Sequence, residues 1–94
     1  RMQKDRNKQL SALREAEALS PLHATVLYEL GKYYSSYAMY EESIEPLARL
    51  IAQDTAHIPA IELIIKSYER LGDEERAEQF ERLLIQAKRR NAGK

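Results

Sequence analysis

The feature that most constrains the fold of this chain is an internal repeat with a period of 34 residues. When the sequence is shifted by that distance, residues 24–57 align with residues 58–91. Several substitutions within the alignment are mild, such as Leu27 for Ile61. A fixed period of this size, combined with helical spacing, is typical of stacked helix pairs. Identical residues coincide at five places within these segments, which are Lys32 with Lys66, Tyr34 with Tyr68, Glu41 with Glu75, Leu50 with Leu84, and Ile51 with Ile85, and His23 just before them coincides with His57.

The spacing of apolar residues predicts about five helices. We expect them over about residues 1–19, from 22–25 to 36, and over 41–53, 58–71 and 74–90, with residues 91–94 disordered. The fourth helix is apolar around much of its circumference, which predicts a central position in the fold. The apolar stripe predicted for the first helix consists of Leu10, Leu13, Ala16 and Leu19.

The residues between the helices predict two equivalent turns. Gly72 is suited to end the fourth helix, and Asp73 is suited to cap the fifth. Ala38 occupies the place of Gly72 in the preceding repeat, where a left-handed conformation would cost about 1–2 kcal/mol. Gly31 is expected to face the small Ser43 where two helices approach closely.

A helix-turn-helix unit of this length resembles the tetratricopeptide repeat. The resemblance implies an all-α fold of antiparallel helix pairs, stacked as a right-handed superhelix. It divides the chain into a half-repeat over residues 1–23 and full repeats over 24–57 and 58–91, as one domain that we expect to be a fragment of a longer protein. The residues that carry the resemblance are Leu27, Leu30, Gly31, Tyr34 and Tyr40, then Ile61, Ile64, Tyr68, the Gly72–Asp73 turn and Ala77, and Pro21 with Ala16, Ala18 and Leu19 before it.

Composition narrows the classes of partner. The formal net charge is zero, so no overall field attracts the chain to nucleic acid or to a membrane. Cysteine is absent, which excludes a disulfide framework and thiolate metal ligands. No apolar stretch reaches the roughly 18 residues of a membrane span. We expect a cytoplasmic location, with periplasmic location or membrane attachment through further sequence as alternatives.

Residues that could carry catalysis or bind a cofactor are sparse. The sequence has no glycine-rich phosphate loop and no HExxH motif, so we expect no enzymatic activity, no cofactor and no metal. His23 and His57 are interpreted as loop or cap residues, because equivalent positions on neighbouring helix pairs lie on the order of 10 Å apart. Nucleic-acid binding is disfavoured, because most tyrosines fall at core positions and leave Tyr28 as the clear surface aromatic.

The resemblance implies a protein-interaction scaffold or adaptor. In that family the first helices of successive repeats line a concave groove, which receives a peptide or a helix of a partner protein. Tyr28 and Glu62 stand where the family's carboxylate clamp would have other side chains, which argues against a receptor for chaperone tails. The groove residues predicted by the resemblance are Thr25, Tyr28, Lys32, Ser35, Glu62, Lys66, Glu69 and Arg70.

A second function is kept open at this point, namely self-assembly. The first helix lacks the partner helix of its own repeat, so its stripe around Leu10 and Leu13 is expected to be under-covered. Exposed apolar stripes mark interfaces. A homo-oligomer formed through this face is therefore the alternative to a groove receptor.

Overall fold

The computed structural model describes residues 2–19 and 23–92, and within them it leaves out the side chains of residues 2–8, 16, 17 and 92. The described residues form five helices and no strand, which confirms the all-α prediction. Pro21, which contributes to the resemblance, and residues 93 and 94 of the predicted disordered end lie outside the described residues. The helices are α1 (Met2–Leu19), α2 (Ala24–Ser36), α3 (Tyr40–Gln53), α4 (Ile58–Arg70) and α5 (Glu74–Ala92).

The helices pack in pairs along the chain. α2 packs against α3 and α4 against α5, and each pair is joined by a short turn that reverses the chain. α4 also contacts α3 and α2, while α1 packs on α2. The starts of α2 and α4 are 34 residues apart, as are those of α3 and α5, so the sequence period is also the period of the helices. The right-handed superhelical stack remains a prediction.

The core is built around α4, as its apolar circumference predicts. The main cluster consists of buried residues from α2 to α5, which are Leu27, Leu47, Leu50, Ile51, Ala60, Ile61, Ile64, Ile65, Ala77 and Ala87. A second cluster of Leu30, Tyr33 and Tyr34 lies between α1 and α2. Phe80 stacks on Tyr68 with ring centroids 5.7 Å apart, which gives the last helix an aromatic contact next to Glu81.

The first helix is partly covered by α2. Leu10 and Leu13 are half-buried against the second cluster, and Arg14 donates a hydrogen bond to the hydroxyl of Tyr34 at 3.1 Å. Leu19, which continues this stripe in the sequence, is 85% exposed at the end of α1. The covered part of α1 therefore stops short of its last turn.

The two turns have the same backbone geometry. In the first, the amide of Met39 donates to the Tyr34 carbonyl at 2.8 Å and that of Ala38 to the Ser35 carbonyl at 3.1 Å. In the second, Asp73 donates to Tyr68 at 2.9 Å and Gly72 to Glu69 at 3.1 Å. Both are Schellman motifs, in which the residue just past the C-cap adopts a left-handed conformation. That residue is Ala38 in the first turn and Gly72 in the second. The φ angles are 60° at Ala38 and 80° at Gly72, so Ala38 adopts the same left-handed conformation as Gly72.

Two local expectations are corrected. The neighbour of Gly31 is Leu47 rather than Ser43, because a Cβ added at Gly31 would overlap the Leu47 side chain. Ser43 instead shares a buried hydrogen bond with Ser67 of α4, at 2.7 Å between the hydroxyl oxygens. The last helix continues to Ala92, so Asn91 is helical rather than disordered.

The equivalence of the turns yields a stability prediction. Replacing Ala38 with Gly removes left-handed strain of about 1–2 kcal/mol. It also adds about 0.4–1 kcal/mol of chain entropy to the unfolded state. The net expectation is that Ala38→Gly increases the free energy of unfolding, by up to about 1.6 kcal/mol. Urea denaturation followed by circular dichroism measures it.

The matched control is the reverse change at the second turn. Gly72 has no atom within 4 Å of an added Cβ, so Gly72→Ala introduces backbone strain without a steric clash. It is expected to lower the denaturation midpoint. A lower midpoint for Ala38→Gly would contradict the strain argument.

Candidate functional site

The predicted groove residues lie on two helices that contact each other. Thr25, Tyr28, Lys32 and Ser35 belong to α2, and Glu62, Lys66, Glu69 and Arg70 belong to α4. The helices have equal lengths and start one period apart, so Lys32 and Lys66 occupy equivalent positions. Both lysines are exposed, as are Thr25 and Arg70. We call these four residues the α2–α4 strip.

Ser35 is not accessible in the way a groove residue requires. Its exposed fraction is 5%, whereas the equivalent Glu69 of α4 is exposed. The difference follows from the neighbours, because α2 is covered by α4 and α4 has no comparable helix on that side in the described chain. A partner on the strip would therefore contact little of Ser35.

Tyr28 is half-buried rather than a clear surface aromatic. Its ring centroid lies 5.5 Å from that of His57, tilted by 42°, and its side chain packs against the main core cluster. Tyr37 is the more exposed tyrosine, at 41%, and its ring lies 5.0 Å from that of Tyr33. The expectation that Tyr28 is the one surface aromatic is therefore wrong, although part of its ring can still be reached.

His57 caps α4 and so holds the junction between the repeats. Its Nδ1 accepts a hydrogen bond from the amide of Ala60 at 3.2 Å, which satisfies one of the free N–H groups of the first helical turn. Pro59 lies in the same turn, where its missing N–H costs nothing. His23 lies at the equivalent place before α2, is exposed and makes no such bond. The cap interpretation therefore holds for His57.

Lys32 borders a cleft between α1 and α2. The cleft has a volume of about 390 Å³. Glu29 and Ser36 lie one turn to either side of Lys32, and the hydroxyl of Ser36 donates to the Lys32 carbonyl at 2.7 Å. Neither is among the groove residues predicted from the sequence, although their spacing of three and four from Lys32 places them on its face. The lining residues are Gln9, Glu29, Lys32, Tyr33, Ser36 and Tyr37.

Glu62 and Glu69 line cavities between α4 and α5, whereas Lys32 borders the cleft between α1 and α2. Glu62 lines a cavity of about 330 Å³ with residues of α5, and Glu69 lines a neighbouring one of about 360 Å³. Glu81 borders both cavities. The structure thus separates these two carboxylates from the cation at Lys32, rather than setting all the charges along one line.

The turn before α5 carries the clearest electrostatic perturbation. The amide of Arg76 donates to Asp73 at 3.2 Å and its guanidinium donates to the same carboxylate at 2.8 Å. These bonds, the backbone one first, lower the pKa of Asp73 below its usual value. They stabilise the start of α5, and neither residue belongs to the predicted groove.

Two searches of the described residues complete the inventory. No three His, Asp or Glu side chains there lie close enough together to hold a metal ion. No helix among them has the length and apolar character needed to cross a membrane.

Comparison with known proteins adds no relative. No family model matches the chain, and neither the curated proteins nor the solved structures yield a match.

The His57 cap yields a second prediction. His57→Ala removes both the acceptor for Ala60 and the ring contact with Tyr28, so the free energy of unfolding should fall by at least the 0.5–2 kcal/mol or so of a lost cap. His57→Asn keeps a capping oxygen and should lose less. Thermal and urea unfolding compare them, and an equal loss for both variants would show that the cap itself contributes nothing.

Proposed function

We propose that the chain is a protein-interaction scaffold of the tetratricopeptide type, which binds a peptide or helix of a partner across α2 and α4. The observation that carries the proposal is the recurrence of exposed Lys32 and Lys66 at equivalent positions of two contacting helices. A lysine that is exposed in both repeats adds nothing to the core. Binding of a partner therefore explains why an exposed lysine recurs at this position, whereas packing does not explain it.

The chemistry of the strip favours an acidic partner. Lys32, Lys66 and Arg70 supply three exposed cations on α2 and α4, and the reachable part of the Tyr28 ring supplies apolar area on α2. Aromatic anchors contribute a large share of the affinity at interfaces, while exposed charges set orientation and association rate. A peptide that combines acidic residues with one aromatic or aliphatic residue fits this arrangement.

The second candidate is self-assembly through α1. Its support is weaker than the sequence suggests, because Leu10 and Leu13 are already half-buried on α2. Exposed Leu19 is the observation that still favours it. Light scattering distinguishes the candidates, since a groove receptor is monomeric and a self-assembly module is a dimer or larger.

The strip is tested by peptide selection. A phage-displayed library of random peptides is selected against the chain, and the enriched sequences are titrated by fluorescence anisotropy. We expect acidic peptides with an apolar anchor. The double change Lys32→Glu and Lys66→Glu should weaken binding at least tenfold, or about 1.4 kcal/mol, and abolish its salt dependence.

Two further variants make this test specific. Lys88→Glu with Arg89→Glu makes the same charge change at exposed positions of α5, away from the strip, and should leave affinity within about twofold of wild type. Tyr28→Ala should weaken binding at least fivefold, or about 1 kcal/mol. Because Tyr28 packs on the core, this substitution should also lower the melting temperature. Binding is therefore measured at a temperature well below the melting transition. Affinity that survives the changes at Tyr28, Lys32 and Lys66 refutes the strip.

A further inference from the structure

The last helix pair presents an apolar furrow that the preceding pair does not. It lies between α4 and α5 and encloses about 330 Å³. Its floor is Ile65 and Leu84, and Ile85 at its edge is 53% exposed. Glu62 and Glu81 complete the lining. We call these five residues the C-terminal furrow.

The internal repeat shows what the furrow is shaped to receive. One period earlier, the positions of Leu84 and Ile85 are held by Leu50 and Ile51, which are 0% and 5% exposed. They are covered because α4 lies on α2 and α3, and its Ile61 and Ile64 share their core cluster. Among the helices that the structure describes, none covers the equivalent positions of the α4–α5 pair. An α-helix with an aliphatic stripe is therefore the shape that fits.

Charge specifies the occupant further. Glu62 and Glu81 stand where the preceding repeat has the uncharged Tyr28 and Leu47. The neighbouring cavity continues the same rim with Glu69, Glu74 and Glu78 around Ala77. Within the described part of the chain, no cation forms a salt bridge with Glu62 or Glu81. A helix that enters this furrow is stabilised by cations beside its aliphatic stripe.

The same rim disfavours a second copy as the occupant. In a two-fold dimer the same patch meets itself, so the acidic rims of both furrows would share one interface. Like charges brought together at an interface are repulsive and suppress that pairing. The aliphatic floor alone would permit such a dimer, and the carboxylates oppose it.

We propose that the C-terminal furrow binds an amphipathic helix of a partner protein, with aliphatic residues at a spacing of three and four and with Lys or Arg flanking them. The aliphatic stripe covers Ile65, Leu84 and Ile85, and the cations pair with Glu62 and Glu81. This surface is independent of the α2–α4 strip, because it uses α5 and prefers a basic helix rather than an acidic peptide.

The test uses two designed peptides and the intact chain. Both peptides form about four helical turns with one isoleucine stripe, and they differ only in whether Lys or Glu flanks it. Fluorescence anisotropy should show binding of the Lys peptide that weakens with salt, and at least tenfold weaker binding of the Glu peptide. Equal affinity for the two peptides, or binding of neither, overturns the proposal.

Variants of the chain locate the binding. Ile85→Ser and Glu81→Lys should each weaken binding of the Lys peptide at least fivefold. The matched controls are Leu19→Ser, at an apolar site on α1 that is more exposed than Ile85, and Glu42→Lys, the same charge change on α3. Both controls should change affinity less than twofold. Equal losses in controls and furrow variants would mean that the peptide binds elsewhere.

Two further measurements separate the remaining outcomes. Melting curves show whether each variant is folded, and only folded variants are compared. Light scattering reports the mass of the wild type. If the wild type is a dimer and Ile85→Ser makes it monomeric, the furrow binds a second copy of this chain. That result would overturn the proposal of a partner protein. Lys32→Glu with Lys66→Glu should leave the affinity for the Lys peptide unchanged. This measurement distinguishes a failure of the proposal for the α2–α4 strip from a failure of the proposal for the C-terminal furrow.

Discussion

The burial of Ile61 and Ile64 of α4 is the contact on which the rest of the structure depends. Both side chains are fully buried, in a cluster that joins α2 and α3 to α5. The interface also contains a satisfied polar pair. Ser43 donates to the Tyr40 carbonyl at 2.7 Å, which leaves the Ser67 hydroxyl to donate to Ser43. Because buried hydroxyls cost stability unless they are bonded, this pair favours one register of α4 on α3. The position of α4 in turn determines where Lys66 lies relative to Lys32.

Most of the fold was predictable because it depends on periodicity and on backbone stereochemistry. The shift of 34 residues set the spacing of the helix starts, and the match of Ala38 with Gly72 predicted a left-handed residue in both turns. The failures have a different origin. A helical pattern shows which face is apolar, and it does not show which neighbour covers a given residue. Ser35 and Glu69 hold the same position in their helices, yet only Ser35 is buried, because a further helix lies on α2.

The candidate site was predictable only in part, for the same reason. The recurrence of Lys32 and Lys66 is readable from the repeat, and the exposure of both agrees with it. The partial burial of Tyr28 could not be predicted from the sequence, because it depends on a contact with the ring of His57 at the junction between the two repeats. The imidazole of His57 lies against the Tyr28 ring while its Nδ1 accepts a hydrogen bond from the Ala60 amide. A contact between side chains 29 positions apart in the sequence leaves no local pattern.

The two repeats differ in how they fill the space between their paired helices. In the first, Gly31 makes room for Leu47, and α4 closes over both. In the second, the equivalent positions hold Ile65 and Glu81, so the larger apolar side chain has moved from the second helix to the first and a charge has entered. A buried, unpaired carboxylate at the place of Leu47 would be strongly destabilising. Glu81 is tolerated because that end of the core is open to solvent, and any helix that covered it would have to bring a cation. The end face is therefore more than an interior surface left uncovered, because its charge restricts which helix can close it.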